Sequence, residues 1–376
     1  MLRLAEAADG FLARVRLPGG LVSGERLQVL ARLAEDLGDG RVELTSRGNV
    51  QLRGLSEADA GPLTDALFGA GLLPSISHDR VRNVLASPLA GLDGRPGLTG
   101  IVRALDTALC AQPRLAELSG RFLFAVDDGR GDVAGLGADV VATVRPGGAV
   151  VNGLAAAGDG VVDAMLACAE AFLDLRAELD STAWRIADVP DGAQRVRAAV
   201  ARRLGLAAAP GEPGAATAAR PVGLVGRTKT TGGMRDAASV RDDPGLSAVL
   251  LAPLGRLTAA QLTWVAERLA GQEARVTPWR SVVLPHLADA AGVLREAAGL
   301  GFGTDDGSPW LRVTACAGRP GCARALADVQ ADAAGFAARW PGRLVHVSGC
   351  GRHCGRPAAT EIDVTATSEG YQVDGV

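Results

Sequence analysis

Leu44-Thr45-Ser46-Arg47-Gly48-Asn49-Val50-Gln51-Leu52 and Val276-Thr277-Pro278-Trp279-Arg280-Ser281-Val282-Val283-Leu284 stand 232 positions apart and share one pattern of apolar residues. In each, apolar side chains alternate into a turn and alternate again out of it, the mark of strands with one buried face. The correspondence runs upstream. Leu30, Leu33 and Leu37, at helical spacing, fall on Leu262, Val265 and Leu269 at the same offset. Ser23 is placed to cap the first helix, and Thr258 with Gln261 makes a capping box at the start of the second. Before the first helix, Phe11, Ala13, Val15 and Leu17 alternate with Arg14 and Arg16, which puts the two arginines on the opposite strand face, and Pro18-Gly19-Gly20 ends the strand. Strand, helix, strand, repeated at long range, predicts a duplicated α+β architecture with a pseudo-twofold axis and a site between the halves.

The 376 residues leave room for several units, and 48% hydrophobic residues supply their cores. A formal net charge of -3 gives no basic field for wrapping nucleic acid, so an anionic partner has to be met by local Arg and Lys. No stretch approaches the roughly 20 apolar residues of a membrane span. A cytoplasmic protein without membrane or nucleic-acid partners is expected. Leu204 to Arg220, rich in Ala, Gly and Pro, reads as a linker. The units are then 1–76, 77–204, the linker 205–220, 221–304 and 305–376. Val161 to Leu179 carries a broad helical stripe that makes Cys168 a small core residue, and Cys110 reads the same way. Gly129-Arg-Gly-Asp and Gly135-Leu-Gly lack the strand and helix context of a nucleotide site and read as turns. With no flavin or nicotinamide site apparent, electrons have to come from a separate donor protein, a ferredoxin or a reductase.

Four of the six cysteines lie near the C-terminal end. Cys316 and Cys322 enclose Ala-Gly-Arg-Pro-Gly, Cys350 and Cys354 enclose Gly-Arg-His, and each pair follows a short apolar strand. Four thiolates in Gly-containing loops suit a [4Fe-4S] cluster, because glycine lets backbone N–H groups approach the cluster sulfurs. Structural zinc is the competing reading, but its ligand pairs usually sit two to four residues apart, which the first pair does not match. His353 is an alternative ligand.

This cysteine pattern resembles the cluster motif of siroheme sulfite and nitrite reductases, as do Arg14-Val-Arg16-Leu-Pro-Gly-Gly20, Leu44-Thr-Ser-Arg47-Gly-Asn-Val-Gln51 and Arg82-Asn83-Val. The resemblance implies a pair of ferredoxin-like half domains joined to two nitrite/sulfite reductase [4Fe-4S]/haem-type α+β domains, the second of them cluster-binding. It also makes Cys354 the residue that would bridge the cluster to a haem iron, as siroheme or another iron centre. Within the superfamily, Arg82-Asn-Val-Leu-Ala-Ser-Pro-Leu-Ala-Gly-Leu92 and Thr277-Pro-Trp-Arg280 look most like precorrin-3B synthases. That branch implies O2-dependent monooxygenation of precorrin-3A with γ-lactone formation in aerobic cobalamin biosynthesis. A small siroheme-dependent sulfite or nitrite reductase is the alternative.

A tetrapyrrole substrate carries many carboxylates, which arginine grips in bidentate fashion. Arg14, Arg16, Arg47, Asn49, Gln51, Arg82 and Asn83 are the candidate binding residues, and the strand reading leaves open which of Arg14 and Arg16 faces the site. Gly226-Arg227-Thr228-Lys229-Thr230 resembles the basic segment with which sulfite reductases hold an anion, so Arg82, Arg227 and Lys229 are the catalytic candidates. Arg280, Arg352 and Arg356 are weaker ones. His78 and His353 are candidate proton donors, with loop or packing roles as the alternative.

Overall fold

The computed structural model describes residues 3–158, 160–209, 222–226 and 245–375. The chain opens with β1 (Ala5–Ala7), β2 (Gly10–Val15), β3 (Leu21–Ser23), α1 (Gly24–Asp36), β4 (Arg41–Leu44), β5 (Val50–Leu55) and α2 (Ala60–Gly69). A second unit holds β6 (Val84–Ala86), α3 (Thr99–Ala111), β7 (Phe124–Asp127), β8 (Val140–Arg145), β9 (Gly148–Val151), β10 (Leu154–Ala156), α4 (Gly160–Glu178) and α5 (Gly192–Leu204). The third repeats the first, with β11 (Gly223–Val225), β12 (Leu246–Leu251), β13 (Arg256–Thr258), α6 (Ala259–Glu267), β14 (Glu273–Val276), β15 (Ser281–Leu287) and α7 (Ala290–Gly299). The last holds β16 (Val313–Ala315), α8 (Val329–Arg339), β17 (Val345–Ser348), β18 (Ile362–Thr367) and β19 (Gly370–Asp374).

The duplication is visible down to single hydrogen bonds. Thr45 N–H donates to Asn49 O at 2.9 Å, and Thr277 N–H donates to Ser281 O at 2.9 Å. The left-handed residue of the first turn is Gly48 (φ 64°), and Arg280 takes the same conformation (φ 61°) in the second. The two halves also exchange a strand. The first sheet runs β1-β2-β5-β4-β13 and the other β11-β12-β15-β14-β3, so each copy closes the edge of the other. The pairing is reciprocal: Thr258 faces Arg41 while Ser23 faces Glu273. Helices α1 and α6 pack together over one shared core that includes Leu30, Leu52, Leu262 and Leu284. The constant offset of 232 needs a correction at the helices. Their N-caps are Ser23 and Thr258, 235 residues apart, so α6 starts three residues out of that register, and it is the shorter helix, 9 residues against 13 in α1.

The other two sheets match in the same way. In one, β6, β7 and β8 are parallel and β9 returns antiparallel; in the other, β16, β17 and β18 are parallel and β19 returns. Helix α4 buries Cys168 at 0% exposure with Phe172 under the first of these sheets, where burial raises the thiol pKa to about 12. Of the expected linker 205–220, residues up to 209 are described: Ala155 N–H donates to Ala207 O and Ala209 N–H to Gly153 O, so this stretch runs along the edge of the β10 region. Mixed α+β, duplicated and pseudo-twofold, this is the fold expected of the sequence.

Candidate active site

Parallel strands β16 and β17 end side by side, which brings the two cysteine loops together. Cys316 directly follows β16, and Cys350 follows β17 after Gly349. Cys316 N–H donates to Val347 O at 3.0 Å, and Gly349 N–H donates to the Cys316 Sγ at 3.1 Å. The second of these is the kind of N–H to sulfur bond that tunes a cluster. Gly349 is the only residue type that fits, since an added Cβ would come within 2.7 Å of the Ala325 Cβ. The loop after Cys322 closes over it, with Ala325 N–H on Cys322 O at 3.0 Å and Leu326 N–H on Gly349 O at 2.8 Å. Gln330 Nε2 holds Cys316 O at 3.2 Å. Three of the cysteines are half-buried and Cys354 is exposed. No three of the four sulfurs lie within 4.8 Å of one another, a wider spread than the ~3.8 Å edge that a zinc tetrahedron with ~2.3 Å bonds would impose. Donor set and N–H to sulfur geometry fit an iron-sulfur cube.

The polar face of the first sheet leads from these loops to the arginines. Arg14, Gln51 and Glu43 stand opposite one another across β2, β5 and β4, with Gln51 Nε2 on Glu43 Oε2 at 2.8 Å. Further along the same strand, Arg53 pairs with Asp9 through two 2.9 Å bonds and donates a third, also 2.9 Å, to Gly321 O in the first cysteine loop. Between this face and residues 317–330 lies a charged cleft of about 250 Å³, lined by Arg53, Glu43, Arg256, Arg319 and others. Arg14 is exposed on the strand; Arg16, just past its end, is 8% exposed and its Nε has no partner. Burial lowers the Arg16 pKa to about 10, and Arg14, Arg47 and Arg82 push the same way while Asp79 opposes them. The guanidinium stays charged at neutral pH, so this is a buried positive centre with a free donor.

The remaining candidates are placed as follows. Arg82, 3% exposed, makes a bidentate pair with Asp106 at 2.7 and 2.8 Å and donates to Leu72 O at 3.1 Å. Asn49 accepts from Leu17 N–H at 2.9 Å, and Asn83 Nδ2 donates to Arg80 O at 2.9 Å and Gly120 O at 3.1 Å. Arg47 donates to Gly120 O at 2.9 Å. These four residues thus lock the junction between the first two units. His78 is buried, with Nε2 facing Gln112 O at 3.0 Å and Nδ1 facing Ser75 and Ser77 hydroxyls at 2.9 and 3.0 Å; a carbonyl only accepts, so Nε2 carries the proton. Both ring nitrogens are engaged there. Arg227 and Lys229 lie outside the described residues. Arg352 is exposed, and Arg356 meets Asp363 at 2.8 Å.

Arg53 was not among the expected site residues, although it ties the sheet to a cysteine loop. A second omission is Arg275, whose Nη1 donates to Pro88 O and Ala90 O, both at 2.7 Å. The Ser87-Pro-Leu-Ala-Gly-Leu92 motif thereby acts as a clip: Leu89 and Leu92 pack on Val249 and Val283 of the other half. Asp127 organises the glycine-rich turn after β7, accepting N–H bonds from Gly129, Gly131, Val133 and Ala134. Cys110 is half-buried rather than core, beside Arg82 and Asp106.

Two half-domain sheets exchange strands, and four cysteines stand on loops at the ends of a parallel sheet. Residues 4–67 match the nitrite/sulfite reductase ferredoxin-like half domain. The chain is 29% identical to a ferredoxin–nitrite reductase of Synechococcus elongatus, over 97% of this chain and 78% of the relative. It is 28% identical to a precorrin-3B synthase of Sinorhizobium sp, over 97% and 79%. The Mycobacterium tuberculosis NirA protein superposes with a TM-score of 0.73 at 20% identity, covering 96% of this chain and 73% of that one. Residues 4–67 thus carry the likeness to the ferredoxin-like half domain, and over nearly its whole length the chain is similar to nitrite reductases and to a precorrin-3B synthase. The particular precorrin-3B synthase likeness is one among several, and the nitrite reductase similarity is at least equal to it.

Proposed function

We propose that this chain is an iron-sulfur oxidoreductase of tetrapyrrole chemistry, of the precorrin-3B synthase type, carrying out O2-dependent monooxygenation of precorrin-3A with γ-lactone formation. The observation that carries the reading is the continuous polar face running from the cysteine loops through Arg53 and Gln51 to Arg14, with the unpartnered Arg16 beyond. In this reading Cys316, Cys322, Cys350 and Cys354 would hold a [4Fe-4S] cluster, which would supply one-electron transfer, with Cys354 the exposed member of the set. Arg14, Arg16 and Gln51 bind and orient the carboxylates of the ring. Arg47, Asn49 and Asn83 hold the turn that presents them. The units are taken as 1–76, 77–204, 221–304 and 305–376, with a ferredoxin or reductase as donor and the cytoplasm as the compartment.

A siroheme-dependent nitrite or sulfite reductase is the second reading, favoured by the nitrite reductase similarity. As first assembled it relied on Arg82, Arg227 and Lys229 to hold the anion. Arg82 has Nε, Nη1 and Nη2 all engaged within the protein, which weakens that set.

Two measurements separate the readings. Anaerobically purified protein should show a cluster spectrum without stoichiometric siroheme bands, and incubation with precorrin-3A, O2 and a reduced donor should yield a product heavier by oxygen. Strong siroheme absorption with nitrite- or sulfite-dependent oxidation of the donor, and no mass gain, would reverse the choice. Cys350→Ser should lose most iron and acid-labile sulfide together; full retention of both would refute the ligand assignment.

A further inference from the structure

Equivalence of the two parallel sheets isolates what is particular to the copy that bears the cysteines. Leu85, Ala125 and Val141 stand in register on β6, β7 and β8, and their counterparts on β16, β17 and β18 are Thr314, His346 and Asp363. In the first copy this face is apolar, and the β7–β8 connection covers it with Val133 and Ala138. In the second copy the β17–β18 connection carries Cys350 and Cys354, and it lays His353 and Arg356 over the face instead.

Both side chains meet one carboxylate oxygen. Asp363 Oδ2 is 2.8 Å from Arg356 Nε and 3.0 Å from His353 Nδ1, the latter at hydrogen-bond distance but without hydrogen-bond direction. Asp363 is only 8% exposed, and its other oxygen has no partner. A buried carboxylate is costly unless paired, so its partners are held to it. Here both partners, the Arg356 guanidinium and the His353 ring, belong to the loop that presents Cys354. His353, next to that cysteine, is also in the left-handed conformation (φ 49°), which is unfavourable for a non-glycine residue and persists only where surroundings enforce it. A metal ion does not explain the group. Donor atoms of His346, His353 and Asp363 are not gathered within 4.8 Å of one another, and the Arg356 guanidinium already sits on the carboxylate.

We propose that Asp363 is a positioning residue for Cys354: through His353 and Arg356 it fixes the loop that presents this exposed cysteine, and its charge would act on a cluster held by that loop. The proposal rests on the cluster reading above for its electronic part, and on the loop geometry alone for its mechanical part. Replacing a negative charge near a redox centre by a neutral group favours the reduced state, so the near-isosteric Asp363→Asn should raise the cluster midpoint potential while sulfide content stays at the wild-type level.

The test uses the full chain. Wild type, Asp363→Asn, Asp363→Glu and Asp363→Val, the last carrying the side chain found at the equivalent Val141, are compared in three ways. These are iron and acid-labile sulfide content, midpoint potential by redox titration, and the alkylation rate of Cys354 relative to the half-buried Cys110 in protein purified without reconstitution. The expected result is a raised potential in Asn, a severalfold faster Cys354 alkylation in Val, and recovery toward wild type in Glu. Unchanged potential in Asn together with unchanged alkylation in Val overturns the proposal. If wild type holds no sulfide, the cluster reading fails on that result, and the alkylation ratio alone decides whether Asp363 holds the loop.

Discussion

Arg82 and Arg16 carry the same side chain in opposite circumstances. Arg82 is buried and has a bidentate partner; removing it leaves Asp106, 19% exposed at the side chain, without its counter-charge. Breaking a buried pair from one side costs about 3–5 kcal/mol, and Asp106's partial exposure puts the expected loss for Arg82→Ala near the low end. Lysine cannot reproduce the fork, so Arg82→Lys should recover little. Arg16 has a buried Nε with no partner, which makes its burial unfavourable until something arrives to meet it. We therefore expect Arg16→Ala to leave the melting temperature unchanged or higher and to weaken tetrapyrrole binding. Arg82→Ala should lower the melting temperature first; thermal melts and absorbance titrations on both variants check the contrast. Asp132 adds a pH dependence. Burial raises its pKa from 3.8 to about 6 despite a 2.5 Å bond from Ser87 Oγ. The folded state thus binds this proton more tightly than the unfolded chain does, so the stabilisation is complete below pH ~4 and lost as pH rises toward 6. Asp132→Asn should flatten that part of the stability profile, and denaturation midpoints between pH 4 and 7 measure it.

At the scale of elements, the two helix starts are the clearest local instruction. Thr258 Oγ1 accepts Gln261 N–H at 3.2 Å and Gln261 Oε1 accepts Thr258 N–H at 2.9 Å, so Thr258→Ala should cost about 1 kcal/mol in chemical denaturation. Such caps, and the alternation through Val50 and Leu52, are short-range signals that a sequence displays. Strand exchange is not. Strands β3 and β13 are three residues each, too short to show a period, and their partners lie in the other half of the chain. The site divides in the same manner. Cysteine spacing offered the candidate cluster ligands because both pairs are local, whereas Arg53 acquires its contact only from Gly321, 268 residues away. The pairing of Arg82 was not legible, because nothing near it in sequence announces Asp106, 24 residues on in α3. The three-residue slip between helix caps and turns escaped notice because a leucine-rich helix matches its partner acceptably in either register.

Across the whole molecule, the halves are held by more than their shared core. Leu92 is 2% exposed and packs with Leu89 against Val249 and Val283, which are 1% and 0% exposed, while Arg275 grips the carbonyls on either side of Leu89. This clip joins the segment after β6 to the sheet of the other half. It therefore fixes the second unit against the third. Cutting a fully buried leucine back to alanine costs about 2–5 kcal/mol through lost transfer energy and the cavity left behind. The cost of Leu92→Ala falls on a contact between units and not inside one, so cooperativity between them should weaken along with stability. Calorimetry of Leu92→Ala should show a lower and broader transition, or two resolved ones, where wild type gives one. A single transition as sharp as wild type, merely displaced downward, would mean that the strand exchange of β3 and β13 alone couples the halves and that the clip serves only local packing.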